Sequence, residues 1–107
     1  MPHDLIIILT TCASKEEAGN IINALLKARL VACANVISGV ESTFWWNGKI
    51  NKAKEFLVIM KTVRKNFNTI VKAITRIHSY EVAEIVAIPI VAGSDRYLKW
   101  LKDEASG

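Results

Sequence analysis

The feature that most constrains this chain is the dipeptide Asn47-Gly48, set between two β-branched and aromatic stretches, residues 31–46 and 49–62. Both central positions of a tight hairpin turn need positive φ, and Asn-Gly supplies them at little steric cost. A two-residue loop fixes the register. Trp46 then faces Lys49, Trp45 faces Ile50, Thr43 faces Lys52, and Glu41 faces Lys54. The opposite charges of the last pair favour that register. Each arm exceeds the mean strand of about 5–6 residues, so the ribbon is expected to project beyond the core of a chain of 107 residues. Gly39 interrupts the first arm and is expected to form a bulge or bend.

The remaining elements fall around this hairpin. Residues 5–11 form a continuous apolar, β-branched run that reads as a strand buried on both faces. Ser14 and Glu17 form an S-x-x-E capping box. In it the Ser14 hydroxyl accepts from the Glu17 amide and the Glu17 carboxylate accepts from the Ser14 amide. Ala18, Ile21, Ile22, Leu25 and Leu26 then recur at helical spacing, which predicts a helix over 15–28. Phe67, Ile70, Val71, Ile74 and Ile77 predict a second helix over 64–78. Residues 84–91 read as another strand, with Pro89 marking an edge or bulge. Ser94-Asp95 caps a short last helix carrying Tyr97, Leu98, Trp100 and Leu101. The order β-α-β-β-α-β plus one helix is the ferredoxin-like α+β sandwich in a single domain, residues 1–107. Two helices cover one face of its sheet. The other face has only the last helix, and together with the long ribbon it predicts self-association.

Composition narrows the function classes. The chain is 51% hydrophobic, enough for a packed core and too much for a disordered chain. A net charge of +4 with no run of five basic residues gives no nucleic-acid footprint. The N-terminal apolar run is too short for a secretory or membrane-spanning segment, so no membrane partner and a cytoplasmic location are expected. The two cysteines, Cys12 and Cys33, lack zinc-type CxxC spacing and are expected as reduced thiols. A phosphate-binding glycine loop and a GxSxG elbow are both missing, and the protein is not expected to be an enzyme or to carry an organic cofactor.

A few residues carry chemistry. Cys12 ends the first strand just before the Ser14 cap, where a helix N-terminus lowers a thiol's pKa and suits it to soft metals; the alternative is a small apolar residue at a strand end. Cys33 lies among small apolar residues and reads as an inert thiol. His78 closes the second helix, where the helix dipole favours a protonated imidazole. With Glu81 and Glu84 it offers a histidine and two carboxylates within seven residues, suited either to a divalent ion or to a helix end and polar turn. Phe44-Trp45-Trp46 at the hairpin tip suits an oligomer contact better than base stacking. Lys61-Thr62 ends the third strand, where Lys61 meets a phosphate or carboxylate or stands as an ordinary strand end. His3 is expected to be solvated.

Taken together, Ala32-Cys33-Ala34-Asn35-Val36-Ile37, Phe44-Trp45-Trp46-Asn47-Gly48-Lys49-Ile50, Lys61-Thr62, His78-Ser79-Tyr80-Glu81-Val82-Ala83-Glu84-Ile85 and Tyr97-Leu98-Lys99-Trp100-Leu101 resemble the CutA divalent-cation tolerance family, in order and along nearly the whole chain. The resemblance implies a homotrimer of ferredoxin-like, PII-like protomers whose hairpins cross subunit boundaries. It also implies a role in tolerance of divalent metals, copper above all. It further implies a Cu(II) or other divalent-cation site with a cysteine at Cys12 and two histidines ending the second helix. Here His78 matches the second histidine and Ile77 stands at the first, so Glu81, Glu84, a water or a neighbouring subunit completes the set. Ala83 stands where the family usually has proline. Cys33, Trp46, Lys61, Tyr80 and Glu84 match recurring positions, with His78, and are implied to line inter-subunit clefts. That second set supports an alternative role as a signalling or scaffold trimer for a small anionic molecule or protein partner.

Overall fold

The computed structural model describes residues 4–105, so His3 lies outside the described residues. A four-stranded antiparallel sheet has the order β2-β3-β1-β4. Its strands are β1 (Leu5–Cys12), β2 (Cys33–Trp46), β3 (Lys49–Val63) and β4 (Val86–Pro89). The helices are α1 (Lys15–Lys27), α2 (Phe67–Ile77) and α3 (Asp95–Glu104). This is the expected ferredoxin-like α+β arrangement with a C-terminal helix.

Pleating divides the apolar residues between two layers. Ile6, Ile8 and Cys12 on β1 and Val58 and Met60 on β3 pack under Ala18, Ile21 and Leu25 of α1 and Ile70 and Ile74 of α2. On the opposite face, Leu5 and Val63 meet Leu101 and Ala105 beneath α3. Cross-strand pairing places Ile7, Ile59 and Ile88 on that second face, where α3 leaves Ile88 46% exposed.

The hairpin has the expected register throughout, including Trp45 opposite Ile50 and Glu41 opposite Lys54. Asn47 and Gly48 take φ of 52° and 74°. Gly39, at φ 73°, sits in a register shift between Ile37 and Val40 and so forms the bulge. The ribbon accounts for the elongated shape, 44 × 25 × 23 Å. Trp45 and Ile50 near its tip are 71% and 62% exposed.

Three local expectations need correction. The last strand covers only Val86–Pro89, not 84–91, because pairing with β1 ends at Leu9 opposite Val86. Farther along β1, the Thr11 carbonyl is bonded by the His78 imidazole instead. The second helix begins with a 3-10 turn, Arg64–Asn66, and its α-helical part is Phe67–Ile77. The Asn66 side chain leaves the helix end uncapped because it reaches the carbonyls of Leu30 and Ala105. The capping box of α1 is half closed: Ser14 Oγ accepts from the Glu17 amide, but the Glu17 carboxylate accepts from the Ser79 amide, 2.8 Å away.

Candidate functional site

The end of β1, the first turn of α1 and the end of α2 converge on one point. Cys12, Glu17 and His78 each offer a ligand atom there, and these atoms lie within 4.8 Å of one another. Cys12 is fully buried, and His78 is 8% exposed. The sequence signal for Glu17 was absorbed by the capping box. Its position one helical turn beyond the strand end was the available clue to its second role.

His78 is held on both ring nitrogens. The Tyr80 amide donates to Nδ1 at 3.1 Å, so Nδ1 carries no proton and the proton sits on Nε2. Nε2–H then donates to the Thr11 carbonyl at 2.7 Å. Two backbone partners reward the single-proton tautomer directly, and Glu17 Oε1 stands 3.8 Å from Nδ1. That oxygen is buried without a hydrogen-bond partner.

Cys12 also departs from expectation. Burial first, and then the carboxylates of Glu17 and Glu55, push its thiol from the usual 9.0 up to about 11. The lowering expected from the helix N-terminus fails because Cys12 precedes the Ser14 N-cap and faces two acids. Since the folded state holds this proton above the unfolded value, its stabilising contribution is full below pH 9 and is lost as pH rises to about 11. Urea unfolding between pH 8 and pH 11 is therefore expected to show a fall in stability that Cys12→Ala reduces; an equal fall in both proteins would remove Cys12 as its source.

A buried acid, Glu55, borders the cluster. Glu55 on β3 accepts a 2.6 Å hydrogen bond from the Tyr80 hydroxyl. Burial and this bond raise the Tyr80 pKa and keep the phenol protonated. The Tyr80 ring lies 4.8 Å from that of His78. Glu55 had no sequence signal beyond a charge in a strand. By contrast, Glu81 and Glu84 are exposed and stand outside the three-residue group found among the described residues. They line a groove of about 970 Å³ between the hairpin and loop 79–84, together with Trp46, Tyr80 and Glu55. The carboxylate that lies close to Cys12 and His78 is that of Glu17, on α1.

The remaining cleft residues separate. Cys33 and Lys61 are cross-strand partners at the opposite end of the hairpin from Trp46. Cys33 and Trp46 open and close one strand of 14 residues, roughly 40 Å apart at strand rise. Within one protomer they do not share a cleft. Cys33 lies instead against Tyr97, with Sγ and Oη 3.6 Å apart.

A sequence model described as the CutA1 divalent ion tolerance protein matches residues 6–104. The chain belongs to the CutA1 family. It is 40% identical over 101 residues to the divalent-cation tolerance protein CutA of Archaeoglobus fulgidus, covering 94% of this chain and 96% of that one. Identity to the Thermus thermophilus protein of the same description is 37% over 97 residues, 91% and 94% of the two chains. The chloroplastic CutA of Arabidopsis thaliana is 35% identical over 92% of this chain, which spans 54% of that relative's length. Among solved structures, the Thermus thermophilus protein superposes with a TM-score of 0.91 at 36% identity, covering 94% and 97% of the chains. The periplasmic divalent cation tolerance protein CutA of Archaeoglobus fulgidus gives 0.92 at 37% identity, covering 95% and 99%. CutA1 membership places the chain in a family of divalent cation tolerance.

The donor set is compatible with such a cation. One thiol, one imidazole and one carboxylate form a mixed site for borderline and soft divalent ions, and the unpartnered Glu17 Oε1 supplies an acceptor without breaking an existing bond. Two costs accompany binding: Cys12 must release a tightly held proton, and His78 must release one of its two backbone partners.

Proposed function

We propose that this CutA1 protein contributes to divalent cation tolerance by binding a copper-like cation at Cys12, Glu17 and His78, as a non-enzymatic homotrimer in a reducing, cytoplasmic compartment. The observation that carries the reading is the convergence of three donors within 4.8 Å, one of them the orphaned Glu17 Oε1. With Ile77 unable to ligate, Glu17 supplies the third donor in this reading. Both cysteines are free, in keeping with reduced thiols. No helix among the described residues is long and apolar enough to cross a membrane. Self-association is supported by the exposed apolar residues of the hairpin tip and open sheet face, Trp45, Ile50 and Ile88 among them. Native mass spectrometry tests it directly, a mass of three chains being expected.

The metal reading is tested by titrating Zn(II), a redox-inert probe, and Cu(II) into the assembled protein. Cys12→Ala and Glu17→Gln are each expected to weaken binding at least about tenfold, or about 1.4 kcal/mol. Glu81→Gln with Glu84→Gln is expected to leave it unchanged. Equal affinity in Cys12→Ala would remove the assignment.

A second reading is favoured by the groove of about 970 Å³ between the hairpin and loop 79–84. In a scaffold or signalling trimer, this groove would receive a small molecule or partner segment. Ligand-dependent stabilisation that persists in chelator distinguishes it from the cation reading.

A further inference from the structure

The whole net charge of the chain sits on one short segment that neither reading above uses. Residues 64–77 carry Arg64, Lys65, Lys72 and Arg76 and no acid, while the other ten basic residues are matched in number by the ten acids. The segment belongs to the layer of α1 and α2, which covers the face of the sheet opposite the one left open beside α3. Its outer side therefore stays in solvent when the open face and the hairpin tip are taken up by self-association. Among the exposed side chains of α1 and of residues 64–77, six are basic and Glu16 is the single acid.

Helical spacing gathers what the sequence scatters. Thr69, Lys72 and Arg76 recur at i, i+3 and i+7 on the exposed side of α2, opposite the buried Ile70 and Ile74. Lys65 stands one turn earlier, in the 3-10 turn. Helix rise separates Lys72 from Arg76 by roughly 6 Å and Lys65 from Lys72 by roughly 10 Å along the axis. No ion pair among the described residues involves Lys65, Lys72 or Arg76. This arrangement does nothing for the helix itself. Like charges four residues apart, such as Lys72 and Arg76, destabilise it, and Lys65 lies at the end where the macrodipole favours an anion. An external anion relieves both costs.

We propose that the Lys65–Lys72–Arg76 face docks an acidic, extended segment of a partner protein. An extended segment sets every second side chain on one side, roughly 6–7 Å apart, which matches Lys72 to Arg76, and the long stems reach across the wider gap to Lys65. Asn68 and Thr69, exposed between the cations, add donors for its backbone carbonyls. Nucleic acid is a poorer match. Proteins hold a duplex tightly through roughly 6–10 phosphate contacts, and this face lacks the aromatic side chains on which single-stranded bases stack. A membrane is also a poorer match, because residues 64–77 expose no large apolar side chain to insert. The face shares no residue with Cys12, Glu17 and His78, so its failure leaves the cation reading intact.

Fluorescence anisotropy of the assembled protein at low ionic strength tests the proposal with a labelled oligoglutamate peptide and a duplex DNA of equal total charge; co-sedimentation with phosphatidylserine-containing vesicles tests the membrane. Oligoglutamate is expected to bind saturably, more weakly as salt is raised, with amide NMR shifts concentrated in residues 65–76. Lys65→Gln, Lys72→Gln and Arg76→Gln together are expected to weaken it at least about tenfold, and Lys65→Arg, Lys72→Arg and Arg76→Lys together to retain it. Removing the same charge elsewhere, by Lys27→Gln, Arg96→Gln and Lys102→Gln, is expected to weaken it less than about threefold. All six positions are exposed, so the variants are expected to keep the wild-type melting temperature. No saturable binding at low salt, shifts concentrated on another surface, or equal loss in the two charge-removing variants overturns the proposal. Tighter binding of DNA or of vesicles than of oligoglutamate overturns it in favour of that partner.

Discussion

Asn66→Asp is expected to cost about 3 kcal/mol or more of folding stability. Asn66 is 7% exposed, and its side-chain amide spans three segments. Nδ2 lies 3.0 Å from the Leu30 carbonyl after α1 and 3.0 Å from the Ala105 carbonyl at the end of α3. It is also 3.3 Å from Thr62 Oγ1, which donates in turn to the Leu30 carbonyl. Alanine removes the donors: the Leu30 carbonyl keeps its bond from Thr62 Oγ1, but the Ala105 carbonyl loses its Asn66 donor, a loss of about 1–3 kcal/mol for a buried group left unpaired. Aspartate does more harm, because it aims acceptor oxygens at the same carbonyls and buries a charge where a neutral amide donor stood. The expected order of stability is wild type, Asn66→Ala, then Asn66→Asp. Urea unfolding at matched protein concentration checks it, since self-association makes apparent stability concentration-dependent. Asn66→Asp within about 0.5 kcal/mol of wild type would show that water replaces these bonds.

Asn66 also marks the boundary of what the sequence discloses. Periodicity identifies the faces of α1 and α2 because burial acts through the same 3.6-residue repeat that the pattern displays. Asn47-Gly48 discloses the hairpin register because the turn fixes backbone geometry locally. Ser14 and Ser94 cap their helices as read, each accepting from the amide three residues on. Asn66 acts across 36 and 39 residues, where no local repeat reports the partner. Glu17 has the same character: the local motif assigned its carboxylate to Ser14, while the fold sends it to Ser79 across 62 residues. Conversely, Glu81 and Glu84 stand near His78 in sequence, yet their loop presents them to solvent and the groove. Proximity along the chain therefore located the histidine and the cysteine of the candidate site, while the carboxylate within reach of both, Glu17, comes from another element. Cys33 and Lys61 follow the same rule, because Tyr97 joins them only once α3 folds back over β3.

His78→Leu is expected to destabilise the protein by about 2–4 kcal/mol with all metal removed by chelator. The reason is the pair of bonds on the ring, one to the Thr11 carbonyl on β1 and one from the Tyr80 amide in the loop after α2. Leucine fills similar space, leaves the buried Thr11 carbonyl without this partner and removes the acceptor of the partly buried Tyr80 amide. Unfolding in chelator is the decisive condition, because a residue that only ligates metal loses nothing there. Wild-type stability in His78→Leu under chelator would show that the two backbone bonds on the ring contribute nothing to the fold. The same geometry sets a condition on cation binding. An ion taken on Nδ1 displaces the Tyr80 amide, and one taken on Nε2 displaces the Thr11 carbonyl. Either exchange loosens the contact between β1 and the loop that carries the Tyr80–Glu55 bond. Were a cation bound there, the site and the hairpin groove would be coupled through this one imidazole, and loss of Tyr80 amide protection on adding Zn(II) is the expected signature.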